Sequence, residues 1–237
     1  MELTSAFVLH HRPYRETSLL VDIITREYGL IHLVARGMRQ QKKRSTSMQL
    51  FQPMWLNWFG RGELVTLNQI EIDEAAYRLV GNASLCGLYM NELLVKLLPI
   101  NDAEPEIYDA YAHALDSLHR HEDEQITLRL FEKTLLSFLG YALLLTHDAE
   151  TGEPIDDELR YLYHPDNGPK RVDESEVQHT ISGRSLRHLH EETTFDATSL
   201  KEIKRMMRST INYYLAGKPL YSRQMFAELN HYSAKSD

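Results

Sequence analysis

The chain has 237 residues, 43% hydrophobic and 25% charged, an ordinary globular composition that argues against disorder and suits one large domain or two modest ones. No apolar run approaches the roughly 20 residues a membrane-spanning helix needs, and Met1-Glu2-Leu3-Thr4-Ser5 lacks the basic and apolar regions of a signal peptide, so the expected location is cytoplasmic. The net charge of −8 is uneven: residues 1–80 carry 10 Lys/Arg against 8 Asp/Glu, and the remainder 16 against 26.

The first 72 residues read as β-structure. Thr4–His10 is a short run of strand formers, and Thr17–Thr25 is rich in branched residues up to a turn at Gly29. Leu30–Ala35 resumes the strand, giving a hairpin. Gln52–Phe59 alternates, with Met54, Leu56 and Trp58 on one face and Trp55, Asn57 and Phe59 on the other. Gly60-Arg61-Gly62 turns the chain, and Glu63–Ile72 alternates again. Five strands in this length fit a small OB-type barrel; an SH3-like barrel fits the same pattern.

After Asp73 the pattern becomes helical. Leu85–Leu98 is strongly apolar and ends at Pro99, Pro105–His121 is a second helix, and Glu124–His147 a third, with Leu128, Phe131, Leu135, Phe138, Leu139, Ala142 and Leu145 at helical spacing as core. Asp148–Glu176 is polar and broken by glycine and proline, with one strand at Leu159–His164. A short helix is expected at Ser185–His190. A longer one is capped by Ser199, carries Leu200, Ile203, Met207, Ile211 and Leu215 on one face, and ends at Gly217 and Pro219. The expected fold is therefore α+β: a five-stranded OB-type barrel at 1–78 and an α-helical domain at 79–237, with an irregular insertion at about 146–184.

Between Glu27 and Glu63 there is no acidic residue, while Arg36, Arg39, Lys42, Lys43, Arg44 and Arg61 fall in that gap. A loop of such cations supplies phosphate contacts without sequence preference. Nearby Tyr14, Tyr28, Trp55 and Phe59 are the aromatics on which unstacked bases could lie, although each fits a barrel core as well. The acidic remainder keeps the protein soluble and discourages indiscriminate adhesion.

Other chemistry finds little support. The lone Cys86 lies in an apolar stretch and reads as a small buried side chain. Of the twelve histidines, His119/His121 and His188/His190 are spaced i,i+2, which on a helix points them to different faces. No nucleophile elbow, phosphate loop, dinucleotide fingerprint or zinc motif occurs. The acids Asp156-Asp157-Glu158 and Glu191-Glu192 read as solvated, so neither a catalytic residue nor a metal ligand is assigned.

In sequence the chain resembles the RecO family of bacterial recombination mediators. The likeness lies in Ala6–Leu20 (AFVLHHRPYRETSLL), Leu33-Val34-Ala35-Arg36-Gly37, Gly60–Leu64 with Thr66-Leu67, Leu88–Leu94 (LYMNELL) and Gly217–Arg223 (GKPLYSR). The resemblance implies an N-terminal OB-fold, a helical C-terminal domain and a nucleoid-associated, non-enzymatic protein that binds single- and double-stranded DNA and anneals complementary strands. It also implies partnership with RecR in loading RecA onto DNA coated by single-stranded-DNA-binding protein. Many members carry a four-cysteine zinc ribbon in the C-terminal domain; the matching region here has no cysteine, so no cofactor is expected. DNA contact is assigned to Arg36, Arg39, Lys42, Lys43 and Arg44, with Arg15 and Arg61. Docking of the acidic C-terminal tail of single-stranded-DNA-binding protein is assigned to Arg129, Arg205, Arg208, Lys218 and Arg223. The rival readings are a helical adaptor whose β-domain docks protein, and a metal-dependent nuclease built from scattered acids.

Overall fold

The computed structural model describes residues 2–40, 48–72, 75–173 and 179–233. They form two compact units, Met1–Glu122 with Leu220–Asp237, and Asp123–Pro219. The first two helices and the last one thus share a unit with the barrel.

In the first unit, β1 (Thr4–Tyr14), β2 (Ser18–Thr25), β3 (Gly29–Ala35), β4 (Pro53–Phe59) and β5 (Leu64–Glu71) close into a barrel in the order β1-β2-β3-β5-β4. All neighbours are antiparallel except β3 and β5, which pair in parallel through His32↔Leu64, Leu33↔Val65 and Val34↔Thr66. Alternate residues turn inward, as the two-residue period of a strand requires. Ala6, Val8, Val21, Ile23, Ile31, Leu33, Met54, Leu56 and Val65 fill the interior. Gly29, at φ +68°, makes the β2–β3 turn; a Cβ there would lie 1.8 Å from the Asp102 carbonyl oxygen, so only glycine fits.

Phe7 and Leu9 face outward and are buried by helices α1 (Asn82–Leu97) and α2 (Pro105–His119). The Phe7 ring centre lies 5.3 Å from those of Tyr108 and Tyr111. Asn91 donates to the Leu9 carbonyl at 2.8 Å and accepts from the Tyr111 hydroxyl at 2.5 Å, which satisfies three polar groups in an otherwise apolar contact. Burial pushes the Tyr108 hydroxyl up to about 12. Cys86 is buried. Together these contacts cover one flank of the barrel.

The second unit holds α3 (Glu124–Phe138), a sheet of β6 (Arg160–His164), β7 (Gly168–Arg171) and β8 (Ile181–Ser182) in the order β7-β6-β8, then α4 (Gly183–Glu191) and α5 (Ala197–Tyr214). The insertion holds a three-stranded sheet where the sequence suggests a single strand, and two helix readings also need correction. Helix α3 stops at Phe138, because Gly140 takes φ +81° and the Gly140 and Tyr141 amides bond back to Ser137 and Leu136, a Schellman stop. Of its expected stripe Leu128, Phe131 and Leu135 are buried, whereas Phe138 is exposed. Helix α5 is capped by Asp196, with Ser199 as the third helical residue of a reciprocal capping box. The final helix α6 (Tyr221–Ser233) returns to the first unit, as the turn at Gly217 and Pro219 allows.

Candidate nucleic-acid interface

Several of the cations read from the N-terminal sequence lie around two adjoining hollows of the barrel. The β1–β2 turn places Arg15 at φ 53°, its guanidinium 5.1 Å from the centre of the Tyr14 ring. After β3 a 3-10 turn, Met38–Gln40, folds back on that same turn: the Arg39 amide donates to the Thr17 carbonyl at 3.0 Å and the Arg39 guanidinium to the Arg15 carbonyl at 3.2 Å. Arg15, Arg36 and Arg39 therefore converge at one end of the barrel. A groove of about 710 Å³ opens there, walled by Tyr14, Arg15, Thr17, Arg36, Leu64 and Thr66.

A second hollow of about 320 Å³ adjoins it through Val65, which lines both. Arg61, on the Gly60–Gly62 turn, borders this hollow with Tyr28 and Trp58, whose rings meet edge to face at 5.2 Å. Between the loops the strand register sets two rows of outward side chains, since residues opposite one another on neighbouring strands share a face. One row runs Arg12, Leu20, Val34, Thr66 and Phe59, the other His10, Asp22, His32 and Leu64. Phe59 is 54% exposed.

The face also carries acids. Glu16 and Glu63 lie exposed in its loops. Asp22 is flanked by the Nδ1 atoms of His10 at 3.3 Å and His32 at 2.6 Å. Burial and the neighbouring His10 hold the His11 imidazole below its ordinary pKa; His11 pairs with the interior Val21 and stands outside both rows. Flexible cations above, aromatic and aliphatic rows below and a small acidic component suit a phosphate backbone whose bases turn inward to stack.

Not every sequence-assigned residue arrives here. Lys42, Lys43 and Arg44 lie outside the described residues. Trp55 is exposed, but sits near the opposite end of β4 from Phe59, across from Ser5 and Glu71. The structure also divides the five cations assigned to an acidic peptide tail. Arg129 is buried and paired with Glu132 at 3.0 Å, so it borders no open hollow. Arg205 donates to the Thr180 carbonyl, while Arg208 and Lys218 are exposed; these four residues belong to the second unit and Arg223 to the first. Arg223 bonds the Tyr89 hydroxyl at 3.3 Å. Arg12, and the Tyr28–Trp58 pair as a unit, were missed from sequence; the signal for Arg12 is its two-residue spacing from His10 beyond the last core position of β1. Among the described residues no group of three His, Cys, Asp or Glu side chains could hold a metal ion, and no helix is long and apolar enough to cross a membrane.

Comparison with known proteins bears on the whole chain. The family model "Recombination protein O N terminal" matches residues 1–75, and "Recombination protein O C terminal" matches residues 78–224. A DNA repair protein RecO from Nitrosococcus oceani is 42% identical over 229 residues, covering 96% of this chain and 93% of that protein. The protein of that name from Coxiella burnetii is 41% identical over 224 residues, covering 94% and 96%. The one from Dechloromonas aromatica is 39% identical over 229 residues, covering 94% of each.

Proposed function

The chain belongs to the RecO family of DNA repair proteins, and on that premise we propose that it is a recombination mediator: it binds and anneals single-stranded DNA and, with RecR, helps load RecA onto DNA coated by single-stranded-DNA-binding protein. On this reading it works at the nucleoid by exchanging partners and makes or breaks no bond itself. The supporting observation is the placement of Arg15 and Arg61. They stand on the β1–β2 and β4–β5 loops, the two loops with which five-stranded barrels of this type hold oligonucleotides. Arg36 and Arg39 are drawn to the first of these loops by the backbone bond from Arg39 to Thr17.

The exposed row between the loops gives bases a surface of Leu20, Val34 and Phe59 without a donor–acceptor code, so the binding is indifferent to sequence. For the acidic tail of single-stranded-DNA-binding protein, Arg223, whose guanidinium lies 5.5 Å from the centre of the Tyr89 ring, is the assigned cation with an apolar ring at hand. The test is fluorescence anisotropy of a labelled single-stranded oligonucleotide across a salt series. Arg15→Ala, Arg36→Ala and Arg61→Ala should each lower affinity for all sequences alike and reduce the salt slope by about 0.7, one phosphate contact on a single strand. The combined Arg39, Lys42, Lys43 and Arg44 alanine variant should reduce it further. Absence of binding even at low salt would leave the barrel as a protein-docking module and overturn the proposal.

A further inference from the structure

The second unit is acidic overall, yet it presents one strongly basic surface. Counting residues 123–219, twelve Lys/Arg stand against seventeen Asp/Glu. Six of the cations are held in ion pairs: Arg129, Lys133, Arg160, Lys170, Arg184 and Arg187. Of the remaining six, which have no ion pair among the described residues, Lys201, Lys204, Arg205 and Arg208 all lie on α5. At 3.6 residues per turn they fall within an arc of about 100°. All four are exposed.

This arrangement works against the helix that carries it. Residues 201/204, 201/205, 204/208 and 205/208 are neighbours at i,i+3 or i,i+4 and repel one another. The acid within this run, Glu202, points the other way: its carboxylate is taken by Arg160 at 2.6 Å and by the hydroxyls of Ser182 and Ser185, each at 2.8 Å. Asp196 is occupied as the helix cap. Asp166, at the far end of α5, is taken by the Tyr213 hydroxyl, which lies outside the basic arc. The helix thus concentrates cations where no ion pair within the described residues neutralises them.

We infer that this face of α5 is a second polyanion site, and that it takes the phosphate backbone of a nucleic-acid strand. The four charges span about 10 Å of helix axis, a reach of two or three phosphates. Their flexible stems suit a backbone that is tracked without being read. The inference does not require the barrel to be the DNA grip, because its residues lie in a different unit.

The test uses the full chain with Lys201, Lys204 and Arg208 changed together to alanine. Arg205 is kept because its bond to the Thr180 carbonyl ties α5 to the strand before α4. A control carries Lys201→Arg and Lys204→Arg. The probe is a labelled oligodeoxythymidylate of about eight nucleotides, within the range one small binding module covers. The wild type and the arginine control should bind two oligonucleotides per chain. The alanine variant should bind one, and its total salt slope should be smaller by about two, three contacts at 0.7 each. An unchanged stoichiometry and slope would overturn the inference. So would a variant that binds the oligonucleotide normally but no longer binds an acidic peptide, since the face would then belong to a protein. If the Arg15, Arg36 and Arg61 variants bind like wild type while the α5 variant loses all binding, the barrel reading fails and this one stands.

Discussion

At the scale of single residues, the most constrained group is the Glu202 carboxylate. Burial raises its pKa, while the Ser182 amide at 2.9 Å, the two serine hydroxyls and the Arg160 guanidinium more than reverse that, leaving it below the ordinary glutamate range. A carboxylate held by four donors is favoured in its charged form. Replacing it with alanine strands these donors and should destabilise the protein by about 2–3 kcal/mol, discounted for the partial exposure of Arg160, as read from urea melts at pH 7. The pH dependence follows from the sign of the shift. With the folded value depressed, stabilisation is complete above the unfolded value of about 4.3 and is lost as pH falls through the lower folded value. Wild-type stability should therefore decline below about pH 4.5, and Glu202→Gln should decline less steeply. Parallel curves for the two proteins would assign the acid sensitivity to other carboxylates, with Asp148, held low by the Thr151, Arg171 and Glu150 amides against the opposing pull of burial, the first to try.

Between elements, the tie that matters most is the one between α1 and α6. The first turn of α6 has no acidic residue of its own; Glu92 of α1 supplies the charge instead, accepting from the Tyr221 and Ser222 amides at 2.9 Å each and from the Ser222 hydroxyl at 2.6 Å. A carboxylate at a helix N-terminus satisfies otherwise orphaned amides and opposes the helix dipole. Glu92→Ala should release α6, seen as faster amide exchange over 221–233 and faster protease cleavage near Gly217, with a loss of about 1–2 kcal/mol. Pairing of this kind was invisible in sequence, where Glu92 and Ser222 lie 130 residues apart.

What could be read was local. The barrel strands announced themselves by branched, alternating residues, and the apolar runs of α1 and α3 by their spacing. β1 extends past His10 to Tyr14 because a bulge between Val8 and His10 shifts the register, after which the side chains are mostly exposed and periodicity has nothing to mark. β7 contains Gly168 and Pro169, and β8 has two residues; neither is long enough to show alternation. The basic run was plain in sequence, but the convergence of Arg15 with Arg36 depends on the pairing of β1, β2 and β3, and the position of Arg61 on the parallel β3–β5 pair. The cysteine-free insertion is held by backbone pairing and by the Asp148 and Glu202 networks, so a chelator should leave its melting temperature unchanged. A fall on adding EDTA, reversed by zinc, would mean that metal is bound after all.

For the molecule as a whole, the net charge of −8 is a repulsive background against which any phosphate must approach. That value counts the twelve histidines as neutral. Lowering the pH from 7.5 to 6 crosses the range in which histidine as a residue type takes up charge, so the net charge becomes less negative. His11 should lag behind, since burial and His10 oppose its protonation. The arginines that would touch phosphate keep their charge throughout. Distributed charge and direct contact can therefore be separated. At about 50 mM salt, where the Debye length exceeds 10 Å, single-strand affinity should rise several-fold on acidification; at about 0.3 M the rise should largely vanish. The salt slope contributed by Arg15, Arg36 and Arg61 should persist at both pH values. Anisotropy titrations over this grid of pH and salt would decide the matter. If the low-salt isotherms at pH 6 and 7.5 superimpose, the acidic bulk does not reach the site, and the local cations alone set the affinity.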